Sequence, residues 1–389
     1  MFIIVEKIIE RIIEILKINK KLIAIATALT VGVTPFAAFS STSNNTVHAA
    51  SMKKIVENTM KKNHVRGSIL VVKNGESQVI SYGYANYSKK ILNSNKQVAY
   101  PIASLQKVVT AAMLIQIMQE KKGSKQAFSQ NTKISRWYPT LKNANKITVG
   151  HLLTHTSGIN LVGTEANRGY TYSEQGAINW LIKHINSTPQ AQIGKQFNYN
   201  NANYILLMGI IRKLTNHSYA TNLNNRIVKP LKLQNTFLAT HTPTGKIKAV
   251  SYMWNGKHNY QNSLTLTNTV ASQLTGAGDL YTTPGEYYKI QQGLTNGKIL
   301  TKNQFDYMTH LTTKVTTYSG GMYIKKNGEL KLAYGSSQHT HFCNWIQLTD
   351  DNQNGIIMFL NQSQGNKNAE KAVGYQILNK IKPNYFKKN

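Results

Sequence analysis

Ser104 and Lys107 stand three residues apart at the head of a long apolar run, and a hydroxyl with an amine one helical turn away can form an acyl-enzyme. A serine hydroxyl is a poor nucleophile until a base takes its proton. A lysine hemmed in by Ala103, Val108 and Val109 loses hydration, which disfavours its charged form and suits it to that task. A helix N-terminus also favours a forming oxyanion. The pattern is cheap on its own, since Ser51-Met52-Lys53-Lys54 matches it too. Ser104 therefore needs partners from elsewhere. Tyr199, just before the helical segment Ile205–Leu214, is one candidate; packing, exposure and proton transfer are all open to it there. His151 and His155 have the spacing of a metal clamp but lack the intervening Glu of a metalloprotease, so the stretch reads as a helix end closed by Gly158.

The elements that must position Ser104 are legible around it. Pro101 biases Tyr100 towards extended backbone, and from Ser104 to about Lys122 helix formers dominate, apolar nearly all round, as in a helix buried mid-domain. Upstream, Ser51–His64 reads as an amphipathic helix. Gly67–Val72, Asn74-Gly75 and Gln78–Gly83 read as strand, turn and strand. Ser173–Ile185 and Ser218–Ile227 are further helices, and 253–268 is polar and irregular. Beyond the glycine turn Gly276–Tyr281, five segments rich in β-branched and aromatic residues predict an antiparallel meander: 314–318, 321–324, 330–334, 342–348 and 355–360. Ala369–Ile381 closes the chain as a helix. The predicted fold is an α/β antiparallel sheet flanked by N- and C-terminal helices and carrying an inserted all-helical lobe. The sheet lobe takes 50–100 and 270–389, and the helical lobe takes 101–269.

At 389 residues with a formal charge of +31, the chain can bury a large core under a surface that attracts polyanions. No nucleic-acid motif accompanies the charge. The single cysteine, Cys343, excludes an internal disulfide and a Cys-based metal cluster, and neither metal nor cofactor is expected. Residues 1–49 read as an export signal or a membrane anchor: Lys17, Lys20 and Lys21, the apolar run Leu22–Phe39, then Val47-His48-Ala49-Ala50 as a cleavage pattern. Ile8, Ile9, Ile12, Ile13 and Leu16 add a helical stripe suited to a membrane surface. Without this leader the chain is still about +29, which points to an extracellular protein in the cell wall or on the outer membrane face, meeting anionic envelope polymer.

Taken together, the chain resembles the penicillin-binding-protein and class C β-lactamase superfamily of serine hydrolases. Ser104-Leu105-Gln106-Lys107 stands as its S-x-x-K element and Tyr199-Asn200-Asn201 as its Y-x-N element. His151–Ile159 resembles its H-L-L-x-H-x-S-G-I segment, Gly276–Leu280 its A-G-G-L region and Val72–Gly75 its first hairpin. The resemblance implies that Ser104 is the acylated nucleophile and that Lys107 and Tyr199 share general-base work. It implies that Asn201 binds the substrate amide or orients Lys107, and that the oxyanion hole combines the Ser104 N–H with one from a sheet-edge strand. The third element, K-T-G or H-x-G, is where the chain departs. Spacing back from Phe342 gives Gly335-Ser336-Ser337, which has no cation, while His339-Thr340-His341 lacks the glycine and reads as solvent-facing on a strand end. A D-alanyl-D-alanine stem or a β-lactam presents a carboxylate; a D-alanyl ester of teichoic acid presents an ammonium. A cation-poor site fits the ester. Three alternatives remain: a D,D-carboxypeptidase of peptidoglycan, with Ser337 or His339 holding the carboxylate; a β-lactamase; and a non-catalytic wall-binding protein.

Overall fold

Hydrophobic residues on both faces of Gly67–Val72 make this segment a central strand, and Asn74 and Gly75, both at positive φ, turn it back on itself. The resulting hairpin is β1 (Arg66–Lys73) and β2 (Glu76–Tyr82), paired from Gly67↔Tyr82 to Lys73↔Glu76. The computed structural model describes residues 39–311 and 313–386. The C-terminal third supplies β3 (Tyr318–Ser319), β4 (Met322–Lys325), β5 (Leu330–Ser336), β6 (Cys343–Thr349) and β7 (Gly355–Ser363). The sheet runs β3-β4-β5-β6-β7-β1-β2, antiparallel throughout this path. All nine residues of β7 are buried, so helices must cover both faces.

The helices are α1 (Phe39–Lys62), α2 (Lys107–Glu120), α3 (Asn201–Thr215), α4 (Pro284–Gly293) and α5 (Lys367–Ile381), with shorter ones between. α5 lies so close over β6 that a Cβ on Gly374 would fall 1.9 Å from the Trp345 indole. On the opposite face α4 packs against β1 and β7, with Tyr287 edge-on to Phe359. Val108, Val109, Ala111, Ala112, Met113, Leu114 and Ile115 of α2 are fully buried, which makes α2 the axis of the hydrophobic core.

Three expectations change. The segment Ser104–Lys122 does not start as α-helix: Ala103–Gln106 is a 3₁₀ turn and α2 begins at Lys107. The stretch read as irregular holds strand Gln261–Leu264, paired with Ser251–Met253, which runs parallel to the end of β7. Strands this short carry no readable periodicity. The helix expected from Ser51 already includes Phe39, so Val47–Ala50 lie within α1. The apolar run from Leu22 and the Ile8–Leu16 stripe lie outside the described residues. No described helix is long and apolar enough to cross a membrane.

One buried group carries a stability prediction. Lys331 of β5 is fully buried over the Phe305 ring, with no hydrogen bond to its amine among the described residues. Burial pushes it down to about 7, opposed in part by Asp350 and Asp351. The folded value lies below the unfolded one, so the unfolded chain binds more protons between about pH 7 and the ordinary lysine range. Stability from this group therefore rises with pH across that window. Lys331→Met should raise the melting temperature most at pH 6, by the equivalent of about 2–4 kcal/mol, with the gain shrinking towards pH 10. Thermal scans at the two pH values check it; an equal gain at both would contradict the assignment.

Candidate active site

Extended backbone brings the chain to Ser104. Strand Val98–Pro101 pairs with Leu280–Thr282, and the Ile102 N–H donates to the Leu280 carbonyl at 2.9 Å. Ala103 then takes φ +46°, a left-handed conformation that reverses the chain sharply and presents Ser104 at the turn. The sheet edge presses on this turn. A Cβ on Gly335 of β5 would lie 2.2 Å from the Ile102 carbonyl oxygen, and one on Gly321 would lie 2.3 Å from the Val108 nitrogen. Asn344 of β6 donates to the Pro101 carbonyl at 2.9 Å, and the Tyr287 hydroxyl donates to the Leu105 carbonyl at 2.8 Å. Gln106 donates to Asp279 at 2.8 Å and accepts the Leu280 N–H at 2.9 Å.

Lys107, fully buried, directs its amine at three oxygens: Ser104 Oγ at 2.9 Å, Asn201 Oδ1 at 2.8 Å and the Ala277 carbonyl at 2.8 Å. Burial lowers its proton affinity to about 7, against the opposing pull of the Glu165 carboxylate. The glycine turn after Thr275 thus has a clear job, since it supplies the Ala277 carbonyl and is itself held by Thr110, whose hydroxyl donates to the Gly276 carbonyl at 2.6 Å.

Tyr199 and Asn201 arrive on the loop into α3, whose first turn is capped by Asn200 accepting the Ala202 N–H. Asn201 bridges the Lys107 amine and the Glu165 carboxylate, accepting from Lys107 and donating from Nδ2 to Glu165 at 2.9 Å. The Tyr199 hydroxyl lies in the neighbourhood of Ser104 and Tyr318, and desolvation pushes the phenol well above its ordinary range. The residue is still 39% exposed, because the ring forms an open wall of the cleft while the hydroxyl end is enclosed.

His155 explains the histidine segment. Helix Val149–Leu153 ends at Thr154, not at Gly158, and His155 follows at φ +55°. Its Nδ1 accepts the Asn200 N–H at 3.2 Å and faces Asn203 Nδ2 at 2.9 Å, so the ring proton is assigned to Nε2. Burial and the Lys107 charge hold the ring neutral, and it packs 4.2 Å from Tyr199 and 4.8 Å from Tyr318. His151 instead accepts the Thr148 N–H in a capping box. His155 thus anchors the loop that carries Tyr199 while His151 caps its own helix, and no described group of three or more acidic, His or Cys residues has the arrangement of metal ligands.

The cleft over Ser104 has a volume of about 440 Å³. Ser104, Tyr199, Asn201, Ser336 and Ser337 all line it, while His339 does not. β5 ends at Ser336, so strand alternation stops there and residues 338–340 form a turn whose His339 N–H donates to Ser337 Oγ at 3.2 Å. His341 takes the lining position instead. Glu165, Tyr318, Tyr323 and Glu370 also line the cleft, and motif reading missed all four. Only the scarcity of acids in the chain, 15 against 46 basic residues, gave any hint that a loop carboxylate such as Glu165 mattered. The described lining contains no Lys or Arg.

A sheet of this order over a buried helix headed by a serine and a lysine defines a class. The chain belongs to the Beta-lactamase family, whose model matches residues 52–378, and its fold is that of the serine β-lactamase and penicillin-binding-protein superfamily of serine hydrolases. Among individual proteins, it is 29% identical over 238 residues to the teichoic acid D-alanine hydrolase of Staphylococcus aureus, covering 61% of this chain and 56% of that one. It is 29% identical over 272 residues to PbpX of Bacillus subtilis (strain 168), a provisionally assigned penicillin-binding protein, covering 69% and 64%. The aligned part thus spans about three fifths of these relatives' length. In fold, FmtA from Staphylococcus aureus matches with a TM-score of 0.70 at 24% identity, over 86% of this chain and 88% of that chain. D-amino acid amidase from Ochrobactrum anthropi SV3 matches with 0.69 at 21%, over 86% and 98%.

Proposed function

We propose that the protein is a serine hydrolase that removes D-alanyl groups from teichoic acid by way of a Ser104 ester. The carrying observation is the charge of the cleft: a carboxylate, Glu165, sits on Asn201 beside the Ser104–Lys107 pair, and no Lys or Arg is among the described residues that line the walls. Glu165 Oε2 holds only a 3.4 Å contact with the Gln338 N–H, so an ammonium can take its place. A substrate bearing a carboxylate would meet repulsion at the same spot. The likeness to a protein named for teichoic acid D-alanine hydrolysis supports the same reading.

In this mechanism the neutral Lys107 amine takes the Ser104 proton as Oγ attacks the ester carbonyl. The Ser104 N–H and an N–H from the end of β5 stabilise the oxyanion. Lys107 returns the proton, through the Tyr199 hydroxyl, to the departing polymer oxygen as the ester bond breaks. Tyr199 acts as a protonated relay, since its environment opposes the phenolate. Water then attacks the D-alanyl ester on Ser104 while Lys107 accepts its proton, and Lys107 returns that proton to Ser104 Oγ as the acyl bond breaks, releasing D-alanine. We further assign residues 1–49 to export or anchoring, and the 53–389 unit to the outer face of the membrane or the wall. The basic surface would draw the polymer in, with binding that weakens steeply in salt.

D-alanylated lipoteichoic acid incubated with the protein should release free D-alanine, with Ser104 carrying a D-alanyl mass adduct. Glu165→Gln should raise KM about tenfold for the free-amine ester, the scale of one charged contact. The same change should leave KM for an N-acetylated ester unaltered when the two are compared at a pH above the Lys107 limb. No D-alanine release, or faster release from D-alanyl-D-alanine peptides, would favour the carboxypeptidase reading instead.

A further inference from the structure

A second cavity, larger than the catalytic cleft, opens at the β2 edge of the sheet. β2 ends the strand order, and its register puts Ser77 beside Val72, Val79 beside Leu70 and Ser81 beside Ser68. Strand alternation turns Ser77, Val79 and Ser81 to one face. α4 packs over β1 and β7, yet Val79 of β2 stays 48% exposed. The gap left between β2, α4 and the C-terminal half of α1 is a groove of about 790 Å³, and it shares no lining residue with the cleft over Ser104.

The groove reverses the charge of the cleft. Lys53, Lys96 and Lys289 line it, and Lys246 reaches its wall by donating to Asn235 Oδ1 at 3.3 Å. Two carboxylates line it as well, and the protein itself engages both. Glu286 accepts the N–H groups of Gln234 and Asn235 and the Thr236 hydroxyl, while Glu57 faces Lys53 at 3.9 Å. Lys96 and Lys289 are exposed, with no ion pair or hydrogen bond among the described residues. The floor is polar: Ser68 Oγ lies 2.7 Å from Ser81 Oγ and 2.9 Å from the Tyr100 hydroxyl. A concave, basic, hydroxyl-lined surface suits an anion that is itself rich in hydroxyls.

We infer that this groove is a non-catalytic site for the phosphodiester backbone of a polyol-phosphate polymer. The inference rests on the esterase reading above only for the identity of that polymer. A D-alanylated chain of this kind carries anions in its backbone and cations on its substituents, and the two cavities divide them. Phosphates meet the lysines of the groove, and an ammonium meets Glu165 in the cleft. Each ester cleaved removes a cation and leaves the backbone charge in place, so the groove holds the stripped chain more tightly than the esterified one.

Equilibrium binding of a lipid-free poly(glycerol phosphate) without D-alanine tests the site, since that probe offers no alanyl ester to cleave. Lys96→Gln combined with Lys289→Gln should raise its Kd about tenfold and flatten the dependence on salt. Lys142→Gln combined with Lys146→Gln removes the same charge from residues that line neither cavity, and should change Kd less than about twofold. With D-alanylated polymer as substrate, the groove pair should raise KM and spare kcat; for a small D-alanyl ester neither constant should move. Equal loosening by the two pairs, or a loss seen with phosphatidylglycerol vesicles and absent with the polymer, would overturn the site. Groove-dependent binding by a protein that hydrolyses no D-alanyl ester is a different result: it keeps the site and removes the esterase reading.

Discussion

Lys107→Met should lower kcat/KM by about 10³–10⁴-fold and prevent the Ser104 adduct from accumulating, the scale expected for loss of a positioned base. Methionine keeps most of the buried volume, so the loss reports chemistry rather than a cavity. It leaves Asn201 Oδ1 and the Ala277 carbonyl without their donor, and a small fall in melting temperature should accompany it. The pH profile is the sharper test. In the proposed mechanism the base is the neutral amine; its affinity for protons is lowered to about 7, and the neutral fraction grows as pH rises. Activity of the unaltered protein should therefore climb through about pH 7, and the residual activity of Lys107→Met should lack that limb. Because Glu165 opposes the lowering, Glu165→Gln should move the limb to lower pH. A limb that stays in place in Lys107→Met would assign the titration to another group.

The second large effect comes from a residue that touches no substrate. Gly335→Ala would place a methyl group 2.2 Å from the Ile102 oxygen, and both partners are backbone, so neither can rotate away. Relief requires β5 to lift from the Ser104 turn, which opens the cleft wall that carries Ser336 and Ser337. A loss of about 3 kcal/mol or more, with activity falling at least a hundredfold, is the expected outcome. Gly285→Ala is the matched control, since nothing lies within 4 Å of its added methyl and its φ is not positive. Equal melting temperatures for the two variants would mean the sheet edge is looser than the structure shows.

What the sequence made legible follows from distance along the chain. Ser104 and Lys107 are local, their helix has an unbroken apolar run, and the paired strands of the hairpin around Asn74-Gly75 are adjacent, so each is readable from neighbours. Tyr199 and Asn201 were reachable because they open a helix with a cap residue between them. Glu165 and Glu370 were not, because one sits in an irregular loop and the other reads as an ordinary first-turn acid of α5. His339 was misplaced relative to His341 because the count was carried through a turn, where the two-residue alternation of a strand no longer applies. His155 was seen but given a helix-ending context, since its contacts to Asn200 and Asn203 come from a segment some 45 residues on.

The pairing of β1 with β7 has a consequence for how the enzyme comes into being. Arg66 lies opposite Gln362, so the hairpin made first during synthesis waits for the last described strand before its inner edge is covered. The serine turn is braced by β5 and β6, which are also late products of translation. A nascent or truncated chain therefore carries the Ser104 turn without its brace. On the proposed mechanism, competence to hydrolyse is expected only once the carboxyl-terminal strands dock.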